Sequence, residues 1–196
     1  MVRTVNLYIG DIVENTVVEG PFDRFALWVS GCSIQCIDCC NEHLFKKSSG
    51  KKINIKDLSD LITKSQEKNK IEGISLLGGE PLDQAEELYQ LLSLLKSRNL
   101  GIMLYSGYYL EQINKKASQK KVLKFVDLLV DGPYLPEQRD MTRRWIGSKN
   151  QNMHFLSNRY NKNSKEFTKR NQVELVLKKS SLEAHGYPVL NLKKVK

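Results

Sequence analysis

Residues 25–40 read Phe25-Ala26-Leu27-Trp28-Val29-Ser30-Gly31-Cys32-Ser33-Ile34-Gln35-Cys36-Ile37-Asp38-Cys39-Cys40. The first part is apolar almost throughout, as a strand buried on both faces is. It delivers the chain straight to Gly31 and the cysteines, so a cysteine loop sits at the carboxyl end of a strand. Open and closed α/β sheets hold their ligands at that end. All four cysteines of the 196 residues lie here, with Cys32, Cys36 and Cys39 spaced CxxxCxxC and Cys40 adjacent. Bridging such near neighbours as disulfides would strain the backbone. A metal or cluster site is therefore the first reading.

Outward from this loop the chain alternates strand and helix. Val5 to Ile9 alternates weakly and reads as an edge strand. After a polar, flexible patch from Lys46 to Lys52, Asn54 caps a helix whose Ile55, Leu58, Leu61 and Ile62 repeat at helical spacing, with Asp57 in its first turn. Ile71 to Leu77 reads as a strand ending in Gly78-Gly79-Glu80-Pro81. Asp83 then caps a second helix, with Glu86 three residues on and Leu88, Leu91, Leu92 and Leu95 as its buried stripe. Gly101 to Tyr105 is the next strand, closed by Ser106-Gly107-Tyr108, and a Lys-rich helix follows from about Tyr109 to Lys120. Phe125 to Val130 is a further strand, ending in Asp131-Gly132-Pro133.

This is the grammar of a parallel sheet with right-handed crossovers. A complete eight-stranded barrel needs about 250 residues, and only about four βα units fit before Pro133. The expected fold is therefore α/β, a partial parallel β/α barrel. Beyond Pro136 the pattern changes. Glu137 to Gln151 is charged and irregular, in the manner of a functional lid or docking loop. Met153 to Leu156 and Val173 to Leu177 read as short strands and Gly186-Tyr187-Pro188 as a turn, which suggests a small antiparallel C-terminal β extension. There is no internal repeat and no low-complexity segment.

Hydrophobic content of 40% and charged content of 27% fit an ordinary soluble protein. No apolar run approaches the roughly 18 residues of a membrane span, and Met1 to Gly10 lacks the layout of a signal peptide. The expected location is the cytoplasm, where thiols stay reduced and free for metal. Lys and Arg outnumber Asp and Glu by 31 to 22, and Arg159 to Lys196 holds ten basic and three acidic residues, or +7 of the net +9. Without Arg/Gly repeats or interleaved aromatics, that segment reads as a solvated basic face rather than a nucleic-acid site.

Two kinds of metal site suit the cysteines. A four-iron cluster held by three thiolates leaves one iron open to an outside ligand, which is a catalytic feature. A closed zinc site would add Cys40 or His43 as its fourth ligand and play a structural part. In the second motif, Gly78 and Gly79 let a ligand approach the backbone, Glu80 offers a carboxylate to an ammonium group, and Pro81 stiffens the turn. Alone, this motif is equally a tight strand-to-helix connection. At the same end of the sheet as the cysteines, it reads as a ligand cradle.

With CxxxCxxC after the first main strand and Gly-Gly-Glu-Pro after a later one, the chain resembles the radical S-adenosylmethionine superfamily. Tyr105-Ser106-Gly107-Tyr108, Leu129-Val130-Asp131-Gly132-Pro133-Tyr134 and Gly147-Ser148-Lys149-Asn150-Gln151 are similar to segments of its anaerobic ribonucleoside-triphosphate reductase activating subfamily. The resemblance runs from roughly Gly20 to Gln151, and the paired first two motifs are its most specific part.

The resemblance implies a [4Fe-4S] cluster on Cys32, Cys36 and Cys39, with S-adenosylmethionine chelating the fourth iron and Gly78, Gly79 and Glu80, stiffened by Pro81, receiving its amino group. An electron from a reduced flavodoxin or ferredoxin would cleave the cofactor to a 5′-deoxyadenosyl radical. In this subfamily that radical takes hydrogen from a glycine of a large partner enzyme, a glycyl-radical enzyme of the anaerobic ribonucleotide reductase type. Ser106 and Gly107 would lie near the nucleoside, and Asp131 near the cofactor or a bound cation. Asn150 and Gln151 would help form the substrate-side loop.

Asp131 is equally a turn former before Gly-Pro, and Asn150 and Gln151 equally a solvated turn. Cys40 is set aside as a ligand because neighbours on an extended segment point opposite ways. Trp28 and Trp145 read as packing, His43 and His154 as structural, and His185 as exposed. The chain departs from the subfamily pattern at Asp38, where Gly is usual, and at Cys40, which replaces an aromatic residue or His. Its basic C-terminal segment is also longer than a minimal member needs.

The expected organisation is a core over residues 1–158 and a basic extension over 159–196 packed on it. Two other readings remain open: the same cofactor chemistry directed at another peptide or small molecule, and a zinc-stabilised nucleic-acid-binding module.

Overall fold

A computed structural model describes residues 4–177 and 182–186. Its elements in chain order are β1 (Asn6–Thr16), β2 (Arg24–Val29), β3 (Lys51–Asn54), α1 (Ile55–Asn69), β4 (Gly73–Gly78), α2 (Ala85–Leu95), β5 (Gly101–Tyr105), α3 (Leu110–Lys115), α4 (Ala117–Val122), β6 (Leu128–Asp131), β7 (Asn152–Phe155), α5 (Lys165–Thr168), β8 (Val173–Leu177) and β9 (Leu182–Gly186). Short 3-10 turns join several of them.

A seven-stranded sheet runs in the order β3-β1-β2-β4-β5-β6-β7. Its centre, β2, β4, β5 and β6, is parallel and taken in chain order. On one flank β1 pairs antiparallel with β2 and β3, and on the other β7 pairs antiparallel with β6. Side chains alternate between the faces, as the two-residue period of a strand requires. Phe25, Leu27, Val29, Ile74, Leu76, Ile102, Leu104 and Leu129 pack in one cluster with Leu58, Ile62, Leu88, Leu91, Leu92, Ile113 and Val122 of the helices. The opposite face carries Ala26, Trp28 and Leu77, and beside them Met103, Leu128 and Val130. Sequential parallel strands with their helices on one face are the winding of a β/α barrel left open.

Several elements differ from expectation. β1 is an interior strand, longer than Val5 to Ile9, and its alternation is weak because the pairing with β2 shifts register between Ile9 and Asp11 and again between Val13 and Thr16. The patch read as flexible contributes β3, whose exposed Lys51 and Lys52 are the lysines that protect a sheet edge. The Lys-rich helix is two helices, broken where Lys116 turns extended at φ −106°, ψ 112°. Asn54 does cap α1, accepting the Lys56 N–H at 2.8 Å. α2 begins only at Ala85, and Asp83 lies before it in a 3-10 turn whose cap is Glu80.

At the opposite end from the cysteines, Arg24 is wholly buried. It donates to Ser75 Oγ at 2.8 Å, Ile74 O at 2.6 Å, Gly101 O at 2.8 Å, Glu72 Oε2 at 3.0 Å and Tyr160 Oη at 2.9 Å. One side chain thus ties the starts of β2, β4 and β5 to the segment after β7. That segment stays close to the sheet: Arg144 bonds Glu166 at 2.7 Å, Thr16 donates to Glu174 at 2.6 Å, and the Gly186 N–H donates to Glu19 at 2.7 Å. β8 pairs with β9 in a separate two-stranded sheet instead of extending the main one. His185 is half-buried, its ring 5.9 Å from that of Trp28, rather than exposed. Of the expected turn at 186–188, Tyr187 and Pro188 lie outside the described residues.

Candidate metal centre

The carboxyl ends of all four parallel strands meet the cysteine loop. Where β2 ends, the Ser30 N–H donates to Tyr8 O at 2.9 Å, the Gly31 N–H to Leu44 O at 2.8 Å and the Cys32 N–H to Phe45 O at 3.0 Å. These bonds close the base of the loop. At the end of β4 the two glycines are required by contact. A Cβ on Gly78, at φ +110°, would stand 2.3 Å from Val29 O, and one on Gly79 would stand 2.2 Å from Gly31 O. The glycines let the Gly79 N–H reach Val29 O and the Glu80 N–H reach Gly31 O, both at 2.8 Å. The turn is thereby bonded to the peptide preceding Cys32.

The turn after β5 meets the same loop, because a Cβ on Gly107 would come within 2.5 Å of Ile34 Cδ1. After β6, the backbone N–H of Tyr134 donates to the Cys36 thiol. Within the loop, the Gln35 N–H points at Cys32 Sγ at 3.5 Å and the Asn41 N–H at Cys39 Sγ at 3.4 Å. All four cysteines are free thiols. Partial burial pushes the Cys32 and Cys36 thiols up, so loading a metal there must release protons.

Cys40 does not point away from Cys39. The chain turns at Ile37–Asp38 and again at Cys40–Asn41, and the Cys39 and Cys40 thiols share a hydrogen bond that pushes Cys39 up and Cys40 down. The extended-strand reason for setting Cys40 aside therefore fails here. His43 is exposed on the following 3-10 turn. Among the described residues, no group of three His, Cys, Asp or Glu side chains is placed to hold a metal ion. The fit to an iron–sulfur group lies in the donor chemistry: three half-buried thiols on one loop, each receiving a backbone N–H, which is how cluster sulfurs are stabilised.

Glu80 is only 1% exposed, and its carboxyl accepts from the Leu82 N–H at 2.9 Å, Ser106 Oγ at 2.9 Å and the Gly107 N–H at 2.8 Å. Burial pushes it up to about 7 against the pull of those donors. It braces the β4 turn against the β5 turn, which is more than the free carboxylate the motif suggests. Ser106 and Gly107 are thus partners of Glu80, while Pro81, buried, opens the 3-10 turn.

Asp131 is 1% exposed; it accepts the Leu110 N–H at 2.7 Å and Asn152 Nδ2 at 3.3 Å, and His154 Nε2 stands 3.0 Å from it. Its carboxylate ties the start of α3 to β7. Asn150 and Gln151 fold the neighbouring loop, donating to Pro133 O at 2.8 Å and Gly132 O at 2.9 Å. Trp28 and Trp145 are buried, and the Trp145 indole donates to Val18 O at 3.0 Å.

A cavity of about 540 Å³ lies along Arg139, Asp140, Met141, Thr142, Arg143 and Lys149, sharing no residue with the cysteine loop.

Residues 18–154 match the family described as 4Fe-4S single cluster domain. Over 144 residues the chain is 36% identical to the anaerobic ribonucleoside-triphosphate reductase-activating protein of Vibrio cholerae, covering 70% of this chain and 91% of that one. The chain belongs to this activating-protein family. Its counterpart in Escherichia coli K12 is 33% identical over 151 residues, 71% of this chain and 93% of that one. The crystal structure of QueE from Escherichia coli is similar over 52% of this chain and 53% of its own, with a TM-score of 0.44 and 15% identity. The family match contains the cysteine loop, all four strand-end turns and nearly all of β7, while β8 and β9 lie beyond it.

Sequence reasoning missed three participants in this site: Ser33, the side chain of Asp83, and the Tyr134 amide. Asp83 carried a signal, since a carboxylate just after the Gly-Gly-Glu-Pro turn faces the same loop, but its position before a helix made it read as a cap.

Proposed function

We propose that this chain is a glycyl-radical enzyme activase, holding a [4Fe-4S] cluster on Cys32, Cys36 and Cys39 and cleaving S-adenosylmethionine reductively. When bound, the cluster and S-adenosylmethionine supply one-electron cleavage of a carbon–sulfur bond and a 5′-deoxyadenosyl radical, chemistry that side chains cannot perform. The partner is an enzyme of the anaerobic ribonucleotide reductase type, and the electron donor is a flavodoxin or ferredoxin.

The observation that carries this reading is the convergence of the turns after β2, β4, β5 and β6 on one loop of free thiols. Cys32, Cys36 and Cys39 would hold the cluster through their thiolates. Gly78 and Gly79 let the turn after β4 close against Val29 and Gly31 at the base of the cysteine loop, and Glu80, fixed by Ser106 and Gly107, would supply the carboxyl group on the side of the amino group. Pro81 holds the turn, and Asp131 fixes the α3 end of the cradle through the Leu110 amide. The protein's part is to orient, to exclude water and to hold the reacting groups still.

No helix among the described residues is long and apolar enough to cross a membrane. The cytoplasm is the proposed location, where the donor and the partner would meet the chain. Residues 159–196 are proposed as an extension of a 1–158 core, a division supported among the described residues by the bonds of Arg24 to Tyr160, Arg159 to Glu72, Arg144 to Glu166 and the Gly186 amide to Glu19.

The test is electron paramagnetic resonance on an anaerobic mixture of loaded chain, S-adenosylmethionine, reductant and an anaerobic ribonucleotide reductase. The expected result is a glycyl-radical doublet on the reductase. Cofactor cleavage with no doublet would move the radical to another peptide or small molecule.

A further inference from the structure

The cradle leaves Ser33 without a role, although it adjoins Cys32 and is exposed. Its N–H donates to Asp83 Oδ2 at 2.7 Å, and its hydroxyl donates to Asp83 Oδ1 at 2.9 Å. The Tyr108 hydroxyl donates to the same Asp83 Oδ1 at 2.9 Å and lies 2.7 Å from Ser33 Oγ. Three separate loops thus meet at one carboxylate: the cysteine loop, the 3-10 turn after β4 and the turn after β5. The Lys116 ammonium, 4.5 Å above the Tyr108 ring, adds a cation–π contact where the chain breaks between α3 and α4.

Hydrogen bonds to an ionised acceptor are about twice as strong as neutral ones. Here they act where burial gives no help, since Ser33, Gln35, Ile37 and Asp38 are all exposed and Ile37 is 75% exposed. Ile34, beside Gly107, is the half-buried apolar side chain of this loop, so most of its shape depends on polar contacts. The amides of Gly31, Cys32 and Ser33 are each tied in succession, to Leu44 O, Phe45 O and Asp83. Of these ties, the one to Asp83 comes from a side chain, and it fixes the peptide immediately after Cys32. Asp83 also makes no bond to the amides of α2, and Gln84, at the cap position, turns its side chain to Tyr8 and Ser30 instead of capping the helix.

We propose that Asp83, braced by Tyr108, is a positioning residue that pins the first peptide of the cysteine loop and so holds Cys32 for the cluster. The second half of that statement rests on the reading of Cys32 as a cluster ligand.

Amide hydrogen exchange on the full-length, metal-free chain tests the pin without any cofactor. Asp83→Ala is expected to speed exchange of the Ser33 amide about tenfold or more, as loss of a charged hydrogen bond implies. Asp83→Asn and Tyr108→Phe give smaller increases, and exchange within β4 and β5 is unchanged. Unaltered Ser33 exchange in Asp83→Ala overturns the pin, and so does an increase spread evenly through the strands.

In the loaded chain, a chelator is expected to strip iron faster from Asp83→Ala than from wild type, with Asp83→Asn restoring most of the lifetime at an unchanged melting temperature. Equal iron release in all three overturns the link to the cluster. If the wild-type chain takes up no iron and sulfide, the functional reading fails, while the exchange data still decide the pin.

Discussion

The Gly31 carbonyl oxygen accepts the Glu80 N–H at 2.8 Å and occupies space only 2.2 Å from where a Cβ on Gly79 would stand. The cysteine loop and the Gly-Gly-Glu-Pro turn are therefore one packed unit. Gly79→Ala must push two backbones apart, at about 1–3 kcal/mol for overpacking of this kind. The expected outcome is a lower melting temperature and a large loss of iron bound after anaerobic reconstitution, measured by iron and sulfide analysis. Full iron loading of Gly79→Ala would show that the two segments are not coupled.

Glu80 makes the metal-free chain sensitive to pH. Burial raises its carboxyl from 4.5 to about 7, so the folded chain keeps a proton that the unfolded chain has released. Stability is then fully present below pH 4.5, falls as pH rises through about 7, and levels off above that. The span is worth on the order of 3 kcal/mol at about 1.4 kcal/mol for each pH unit. Urea midpoints of the metal-free chain should fall across this window, and Glu80→Gln should flatten the slope. Glu19, also pushed up to about 7 by burial, leaves a residual slope. A midpoint that rises with pH in wild type would contradict the assignment.

Arg24 supports the opposite end of the sheet. Arg24→Met leaves the Ile74 and Gly101 carbonyls and part of the Glu72 carboxylate without their donor. Breaking a buried charged network by removing one partner costs about 3–5 kcal/mol. The urea midpoint should drop accordingly, while cluster content per folded molecule stays at the wild-type level. Loss of the cluster without loss of stability would contradict the division between a structural and a functional end.

Asp38, just before Cys39, has φ +54°, the left-handed conformation that suits Gly and that Asp tolerates better than most residues. This accounts for the usual Gly at the position in the resembling subfamily. Asp38→Val should therefore cost about 1–2 kcal/mol locally and reduce iron loading, whereas Asp38→Gly should load like wild type. Equal loading in both variants would show that the turn at Ile37–Asp38 does not shape the site.

Much of this was legible in sequence because the informative signals were local. The apolar runs at Phe25, Ile74 and Ile102 became parallel strands, and each ends in the Gly-containing turn that contacts the loop. The edge strand Lys51–Asn54 was not legible, because lysines that protect an edge look like a solvated patch. Nor were the destinations of polar side chains. Asp83 resembles a cap but bonds Ser33, Glu80 resembles a free ligand but braces Ser106 and Gly107, and Cys39 and Cys40 meet because the chain turns. These partners of Asp83 and Glu80 lie 26 to 50 residues away in the chain and leave no periodic trace.

The central claim is that Cys32, Cys36 and Cys39 hold a cluster that cleaves S-adenosylmethionine. The most direct measurement is 5′-deoxyadenosine formed by the anaerobically reconstituted, reduced chain given S-adenosylmethionine. Wild type and Cys40→Ala should form it, and Cys32→Ala, Cys36→Ala and Cys39→Ala should lose both cluster and product. No 5′-deoxyadenosine from a fully loaded wild-type cluster, or loss of the cluster in Cys40→Ala, would contradict the account.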